Sequence, residues 1–176
     1  MSRLLIVVDM QKDFIDGALG TPEAQGIVEN VNRKIKEYDE SGDLVIFTAD
    51  THKDNYMDTQ EGHNLPVPHC IQGTPGWEID SRLFRPEDAP IIEKDTFGSK
   101  DLCIMLMELD RAENAPESIE LAGLCTDICV ISNAMLVKAF LPEVPVLVDH
   151  TCCAGVTPAS HENALKAMEM CQIRII

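Results

Sequence analysis

The chain has 176 residues, 45% hydrophobic and 25% charged, the make-up of an ordinary globular domain with enough material for its own core. Its formal charge of −16 argues against nucleic acid and anionic membrane surfaces as partners, because phosphate binding needs clustered Lys and Arg. No basic leader with an apolar stretch opens the chain and no apolar run reaches membrane-spanning length, so no membrane partner and a cytoplasmic address are expected.

In chain order, Leu4 to Val8 is a continuous apolar, β-branched run, which suits a central parallel strand buried on both faces. Asp9 follows at its carboxyl end, where open α/β sheets place their ligand crevice. The segment Met10 to Phe14 runs into the turn signal Asp16-Gly17. From Pro22 to Glu40 the apolar positions Ile27, Val28, Val31 and Ile35 recur at helical spacing, and Ser41-Gly42 ends that helix. Leu44 to Thr48 reads as a second buried strand, with Asp50 and His52 just beyond it. Residues 51–90 are polar and rich in Pro, Gly and His; a loop of that length in a compact domain is usually functional or disordered, and Trp77 and the histidines favour function.

Ile91 to Lys94 reads as a short strand that carries Lys94 to the same sheet end, and Ser99 as the N-cap of a helix to about Leu109. Ile119 to Leu124 is the next apolar strand, and Ile128 to Phe140 continues without Gly or Pro at helical length. Thr126 and Asp127 between them are N-cap-type residues, which puts Cys129 on the first turn, where free N–H groups and the positive helix end bias a thiol towards thiolate. Val144 to Val148 is expected as a strand, Asp149 to Pro158 as a loop, Pro158 to Met170 as a helix and Ile173 to Ile176 as a last strand. Strands alternating with helices imply βαβ units and a parallel sheet covered on both faces. Neither repeats nor a linker divide the chain, so residues 1–176 are expected to form one domain.

Three groups then converge at the carboxyl edge of the sheet: Asp9, Lys94 and Cys129. A cysteine nucleophile needs a base that takes its proton and returns it to a leaving amine, and the strand-end carboxylate of Asp9 fits that task. A neighbouring Lys94 cation favours thiolate and oxyanion. Taken singly, Asp9 also reads as a helix cap, Lys94 as a surface lysine and Cys129 as a buried structural thiol. A second constellation, Asp50, His52, Glu61 and His69, offers a mixed N/O donor set suited to zinc, iron or manganese; His63 competes for that site, and Asp54 and Asp58 stay open. Seven cysteines without a leader favour free thiols, catalysis or metal binding over disulfides. Cys125, Cys129, Cys152 and Cys153 therefore also admit a non-catalytic thiol- or metal-binding module, although none has zinc-knuckle spacing.

Read together, Ile6-Val-Val-Asp9-Met-Gln-Lys-Asp-Phe14, Thr48-Ala-Asp-Thr-His52, Pro68-His-Cys-Ile-Gln-Gly-Thr-Pro-Gly76, Glu93-Lys94 and Gly123-Leu-Cys-Thr-Asp-Ile-Cys-Val130 resemble the isochorismatase-like cysteine hydrolases. Within them the match is to the nicotinamidase (pyrazinamidase) branch, and it covers essentially the whole chain. The resemblance implies a three-layer α/β/α fold around a six-stranded, mainly parallel sheet. It also implies an Asp9–Lys94–Cys129 triad, one divalent metal, zinc before iron or manganese, on Asp50, His52, Glu61 and His69, and an oxyanion hole from the backbone N–H groups of Cys125 and Cys129. A cis peptide at Leu124–Cys125 belongs to the same pattern. The implied reaction is hydrolysis of nicotinamide to nicotinate and ammonia through a Cys129 thioester, with Phe14, Trp77 and Leu124 around the ring and NAD salvage as the setting. Two segments depart from the family pattern: Cys125 stands where many relatives carry Ala, and Lys94 to Ser99 differs from the usual pocket wall. A related amidase for an N-carbamoyl or ureido compound is therefore the alternative. Homo-oligomers are common in the family, and the sequence leaves the state of this chain open.

Overall fold

A computed structural model describes residues 2–112 and 114–176 of the chain. The elements in order are β1 (Leu4–Val8), α1 (Lys12–Ile15), α2 (Pro22–Glu40), β2 (Leu44–Asp50), α3 (Gln60–Asn64), β3 (Ile91–Lys94), α4 (Lys100–Arg111), β4 (Ile119–Leu124), α5 (Ile131–Phe140), β5 (Val146–Ala154), α6 (Pro158–Met170) and β6 (Arg174–Ile175). The strands form one six-stranded sheet in the order β3-β2-β1-β4-β5-β6, with every pairing parallel. One face packs Leu5, Val7 and Phe47 against Ile27, Val31 and Ile35 of α2. The other packs Leu4, Ile6, Val8 and Leu121 against Leu106 of α4, Val137 of α5 and Met168 of α6. Burial on both faces is why β1 and β4 are apolar runs and not alternating patterns.

Strand order reverses between β1 and β4, which opens a crevice at their carboxyl ends. Register carries the chemistry there: Val8 pairs with Thr48 and with Gly123, and Asp50 with Lys94. Four adjacent strands thus deliver Asp9, Asp50, Lys94 and the Leu124–Cys125 link to one edge. Gly123 (φ 124°) allows the close approach, since a Cβ there would lie 2.1 Å from the Val8 carbonyl oxygen.

Helix ends follow their local chemistry. Thr21, Ser99 and Thr157 each accept a first-turn N–H, and Pro22 and Pro158 sit where a missing N–H costs nothing. Two elements differ from the sequence reading. The strand expected to stop at Val148 continues to Ala154. Its middle is disguised by Asp149 and Thr151, which bond locally (Thr151 N and Oγ1 to Asp149 Oδ1, 2.8 and 2.7 Å) where the register shifts, before buried Cys153 and Ala154 rejoin β4. The helix after β4 opens at Thr126 with a π-helical turn to Val130, and neither Thr126 nor Asp127 caps it. Thr126 Oγ1 instead pairs with His161 Nδ1 at 2.8 Å, and Asp127 accepts the Val156 N–H, because both side chains face the α6 side of the sheet end.

A second polar cluster lies under α2. Lys34 reaches between Glu120 of β4 and Asp149 of β5 (2.7 Å), and the Tyr38 hydroxyl donates to Glu120 at 2.6 Å. Burial raises the Asp149 carboxyl, but the Lys34 ammonium and the Thr151 donors outweigh it and bring it from 3.8 to about 2. A folded-state value below the unfolded one stabilises above the unfolded pKa and is lost as pH falls through the folded one. Urea unfolding is therefore expected to show about 1–2 kcal/mol lost between pH 4 and pH 2, and Asp149→Asn to remove that part of the acid dependence.

Candidate active site and metal centre

The triad residues come together as the sequence expects. Lys94 Nζ lies 2.7 Å from Asp9 Oδ2, 3.3 Å from Asp50 Oδ1 and 3.5 Å from Cys129 Sγ. Asp9 is fully buried, and Lys94 and Cys129 are each 5% exposed. Desolvating two charges costs several kcal/mol per ion, which their attraction rarely exceeds, so stability alone does not account for this ion pair. Asp9 leaves β1 with φ 47°, a region that Asp tolerates better than most residues. Its N–H meets the Thr48 carbonyl at 3.2 Å, and its Oδ1 accepts the Thr48 hydroxyl at 2.7 Å.

Protonation states follow from burial and from the charges around each group. Burial lowers the Lys94 ammonium, but the carboxylates of Asp9 and Asp50 push it well above its ordinary value, so it is a fixed cation. Burial raises the Asp9 carboxyl against the pull of Lys94. The Cys129 thiol is pushed up by burial and by the Asp9 charge, against Lys94. This reverses the thiolate bias expected from helix position and Lys94: burial beside a carboxylate wins, and Cys129 rests as a thiol with a base beside it.

Next to the triad, Asp50, His52, Glu61 and His69 offer four donor atoms that all lie within 4.8 Å of one another. Asp50 joins the two sites: Oδ1 faces Lys94, and Oδ2 stands 3.0 Å from His52 Nε2 and 3.6 Å from His69 Nε2. Glu61 Oε1 completes the group at 3.6 and 3.8 Å from the same nitrogens. His63, Asp54 and Asp58 are exposed and outside it. His52 Nε2 is buried without a hydrogen bond of good geometry. A buried polar atom left so is costly, and two imidazoles with two carboxylates are the donor chemistry of zinc, iron or manganese, so the residues fit the ion. His69 Nδ1 is held by the Val67 carbonyl at 2.8 Å, which leaves Nε2 for the ion. Tyr56 packs on both imidazoles, with ring centroids at 4.7 and 5.0 Å. Asp50→Ala is expected to lower bound zinc from one equivalent to less than about a tenth after dialysis, read by elemental analysis.

Cys129 and the four metal donors open on one cavity of about 880 Å³, lined also by Phe14, Leu124, Cys125, Ile128 and Phe97 among others, with Asp9 and Lys94 buried behind it. Phe14 and Leu124 thus stand where the ring-binding reading puts them. Trp77 does not: its indole donates to Thr51 Oγ1 at 2.8 Å, and its carbonyl accepts from Gln11, so it braces the loop behind the site. The Leu124–Cys125 peptide is cis. The cysteines are free; Cys152 and Cys153 are buried in β5, and no thiolate metal cluster exists among the described residues.

Three supporting residues escape the sequence reading. Gln11, fully buried, grips Asp50 by its backbone (Nε2 to O 2.8 Å, N to Oε1 2.7 Å). Asp13 accepts the Cys70 N–H at 2.8 Å beside His69, and Gly76 makes room, since a Cβ there would lie 2.2 Å from the Asp13 carboxylate. Thr48 supports Asp9. Each sits in a quoted motif, but its contact is non-local, so only an Asp or Gln just after a strand gives a hint.

A deep crevice at the carboxyl edge of a parallel sheet, with a cysteine, a buried ion pair and a metal-donor group, defines a class before it defines a family. The chain belongs to the isochorismatase family, whose isochorismatase domain matches residues 3–176. The uncharacterized isochorismatase family protein PncA of Bacillus subtilis (strain 168) is 30% identical over 94% of this chain and 93% of its own length. The nicotinamidase of Escherichia coli (strain K12) is 26% identical over 96% and 90%. Among solved structures, the pyrazinamidase of Pyrococcus horikoshii in complex with zinc superposes with a TM-score of 0.86 at 32% identity, covering 100% of this chain and 99% of that one. As an enzyme, the protein falls with the nicotinamidase-like hydrolases of the amide C–N bond.

Proposed function

We propose that the protein hydrolyses nicotinamide to nicotinate and ammonia through a thioester on Cys129. The observation that carries this reading is Lys94 Nζ between Asp9 (2.7 Å) and Cys129 Sγ (3.5 Å), with Cys129 on the wall of a cavity that the four metal donors also line. In the first half, Asp9 takes the Cys129 proton as sulfur attacks the amide carbon; the oxyanion is received by the backbone N–H groups of Cys125 and Cys129. The C–N bond then breaks, and Asp9 passes the proton to the leaving amine, releasing ammonia. In the second half, water gives Asp9 a proton as it attacks the thioester; the C–S bond breaks, that proton returns to the Cys129 sulfur, and the acid formed gives its remaining proton to solvent and leaves as nicotinate. Lys94 stays protonated throughout; it holds Asp9 in place and offsets the negative charge that passes through the site.

Asp50, His52, Glu61 and His69 would hold one divalent metal, zinc in preference to iron or manganese, which when bound supplies a Lewis-acid anchor for the pyridine nitrogen. Phe14 and Leu124 supply apolar faces for the ring, and the half-buried Cys125 narrows the same wall. The modest identity to named nicotinamidases supports the substrate class, and the zinc-bound pyrazinamidase supports the choice of metal. The test is release of ammonia and nicotinate from nicotinamide by the zinc-loaded protein, with N-carbamoylsarcosine assayed alongside. Turnover of nicotinamide is expected; turnover of the carbamoyl compound alone would overturn the substrate assignment and leave the triad standing.

A further inference from the structure

Asn133, on the first turn of α5, is fully buried, and its side chain hydrogen-bonds outside the metal-donor group. Its amide bonds three backbone groups of two separate segments: Nδ2 donates to the Cys129 carbonyl at 2.8 Å and to the Phe97 carbonyl at 3.2 Å, and Oδ1 accepts the Ser99 N–H at 2.8 Å. The first partner is the backbone of the nucleophile itself. The other two belong to the segment that follows Lys94 and forms the opposite wall of the cavity through Thr96 and the half-exposed Phe97. The same segment presses on α5 at Gly98, where a Cβ would lie 2.5 Å from Leu136 Cδ1.

We propose that Asn133 is a positioning residue that sets the width of the cleft, by tying the Cys129 turn to the Phe97 wall; this rests on the reading of Cys129 as nucleophile. An amide is the side chain that fits, because the site needs two donors and one acceptor in one plane, and Asn supplies both N–H groups and the oxygen. A purely structural amide would show its loss as lower stability with unchanged kinetics. A positioning amide acts on two kinetic constants separately, since one end holds the nucleophile and the other holds the wall.

Three variants separate these roles. Asn133→Ala leaves all three backbone groups without their partner, and kcat/KM for nicotinamide is expected to fall about 100-fold. Asn133→Thr can still donate to the carbonyl four residues back, that of Cys129, but is too short to reach Phe97 and Ser99. Its kcat is expected within about threefold of the parent, with KM still raised about tenfold. Gly98→Ala is the control: its Cβ meets only Leu136 Cδ1 closely, the free end of a flexible side chain that rotates aside, so the wall and the amide bonds stay and kcat and KM are expected within about threefold of the parent. Melting temperature and the rate of Cys129 alkylation by iodoacetamide, read on its own peptide by mass spectrometry, accompany each variant.

A folded Asn133→Ala with parental kcat and KM, or an Asn133→Thr whose kcat stays as low as that of Asn133→Ala, would overturn the proposal. If Asn133→Ala does not fold, Asn133→Thr decides: parental kcat with raised KM supports the proposal, and parental values of both overturn it. If the parent releases no ammonia from nicotinamide, the substrate reading falls while alkylation still decides this one. A Cys129 rate that changes in Asn133→Ala and returns in Asn133→Thr supports it, and a constant rate contradicts it.

Discussion

Replacing Cys129 with alanine is expected to lower turnover of nicotinamide by about 10⁴-fold or more, because the sulfur beside Lys94 is lost and Cys125, the other thiol on the cavity wall, makes no hydrogen bond to Lys94 or Asp9 among the described residues. The thiol is small beside the cluster it belongs to, which holds Val130, Ala134, Leu106 and Val137 as well. The fold should therefore survive, and the midpoint of urea unfolding is the control. Zinc content should also be unchanged, since sulfur is not among the four donors. Residual turnover within about tenfold of the parent would mean that water attacks the amide directly and that the thioester does not exist.

Asp9→Asn is the second large effect and the more discriminating one. The substitution keeps the volume and an oxygen for the Thr48 hydroxyl, but removes the charge that pairs with Lys94 at 2.7 Å. Without a base for the thiol and an acid for the amine, kcat is expected to fall about 10³-fold. The same change should make the thiol more acidic, because the Asp9 charge raises it and Lys94 alone would lower it. Alkylation of Cys129 near neutral pH is thus expected to quicken while turnover collapses. Breaking the buried pair is itself expected to lower stability, so the alkylation rate is the readout, and a slower alkylation would show that Asp9 does not act on the thiol.

Much of this arrangement is written in local sequence. The apolar runs of β1, β2 and β4 give a buried parallel sheet, and the ends of β1, β2 and the short β3 land at one edge of it, so Asp9, Asp50 and Lys94 are legible from strand ends alone. The choice of Glu61 over His63 is not, since both lie in the short helix Gln60–Asn64 and only its packing turns one inward. Trp77 misleads for a related reason: a lone aromatic in a polar loop suggests a ligand wall, but its indole N–H needs a partner and finds it in Thr51, so that Thr51 lines the cavity and Trp77 does not. The long β5 is hidden because Asp149 and Thr151 satisfy themselves locally at a register shift, which sequence reads as a turn. Gln11 and Asn133 escape altogether, because their meaning lies in backbone groups 39 and 34 residues away. The protonation state of Cys129 is a tertiary property too: helix position favours thiolate, and burial against Asp9 reverses it.

The measurement that bears most directly on the central claim is acid quench of the zinc-loaded protein in the first turnovers with nicotinamide, followed by mass spectrometry of its peptides. The account predicts one nicotinoyl group, in place of one proton, on the peptide that carries Cys129, labile to hydroxylamine and absent from Cys129→Ala. Ammonia release at full rate with no acyl group on Cys129 at any quench time, and an unaffected Cys129→Ala, would contradict it.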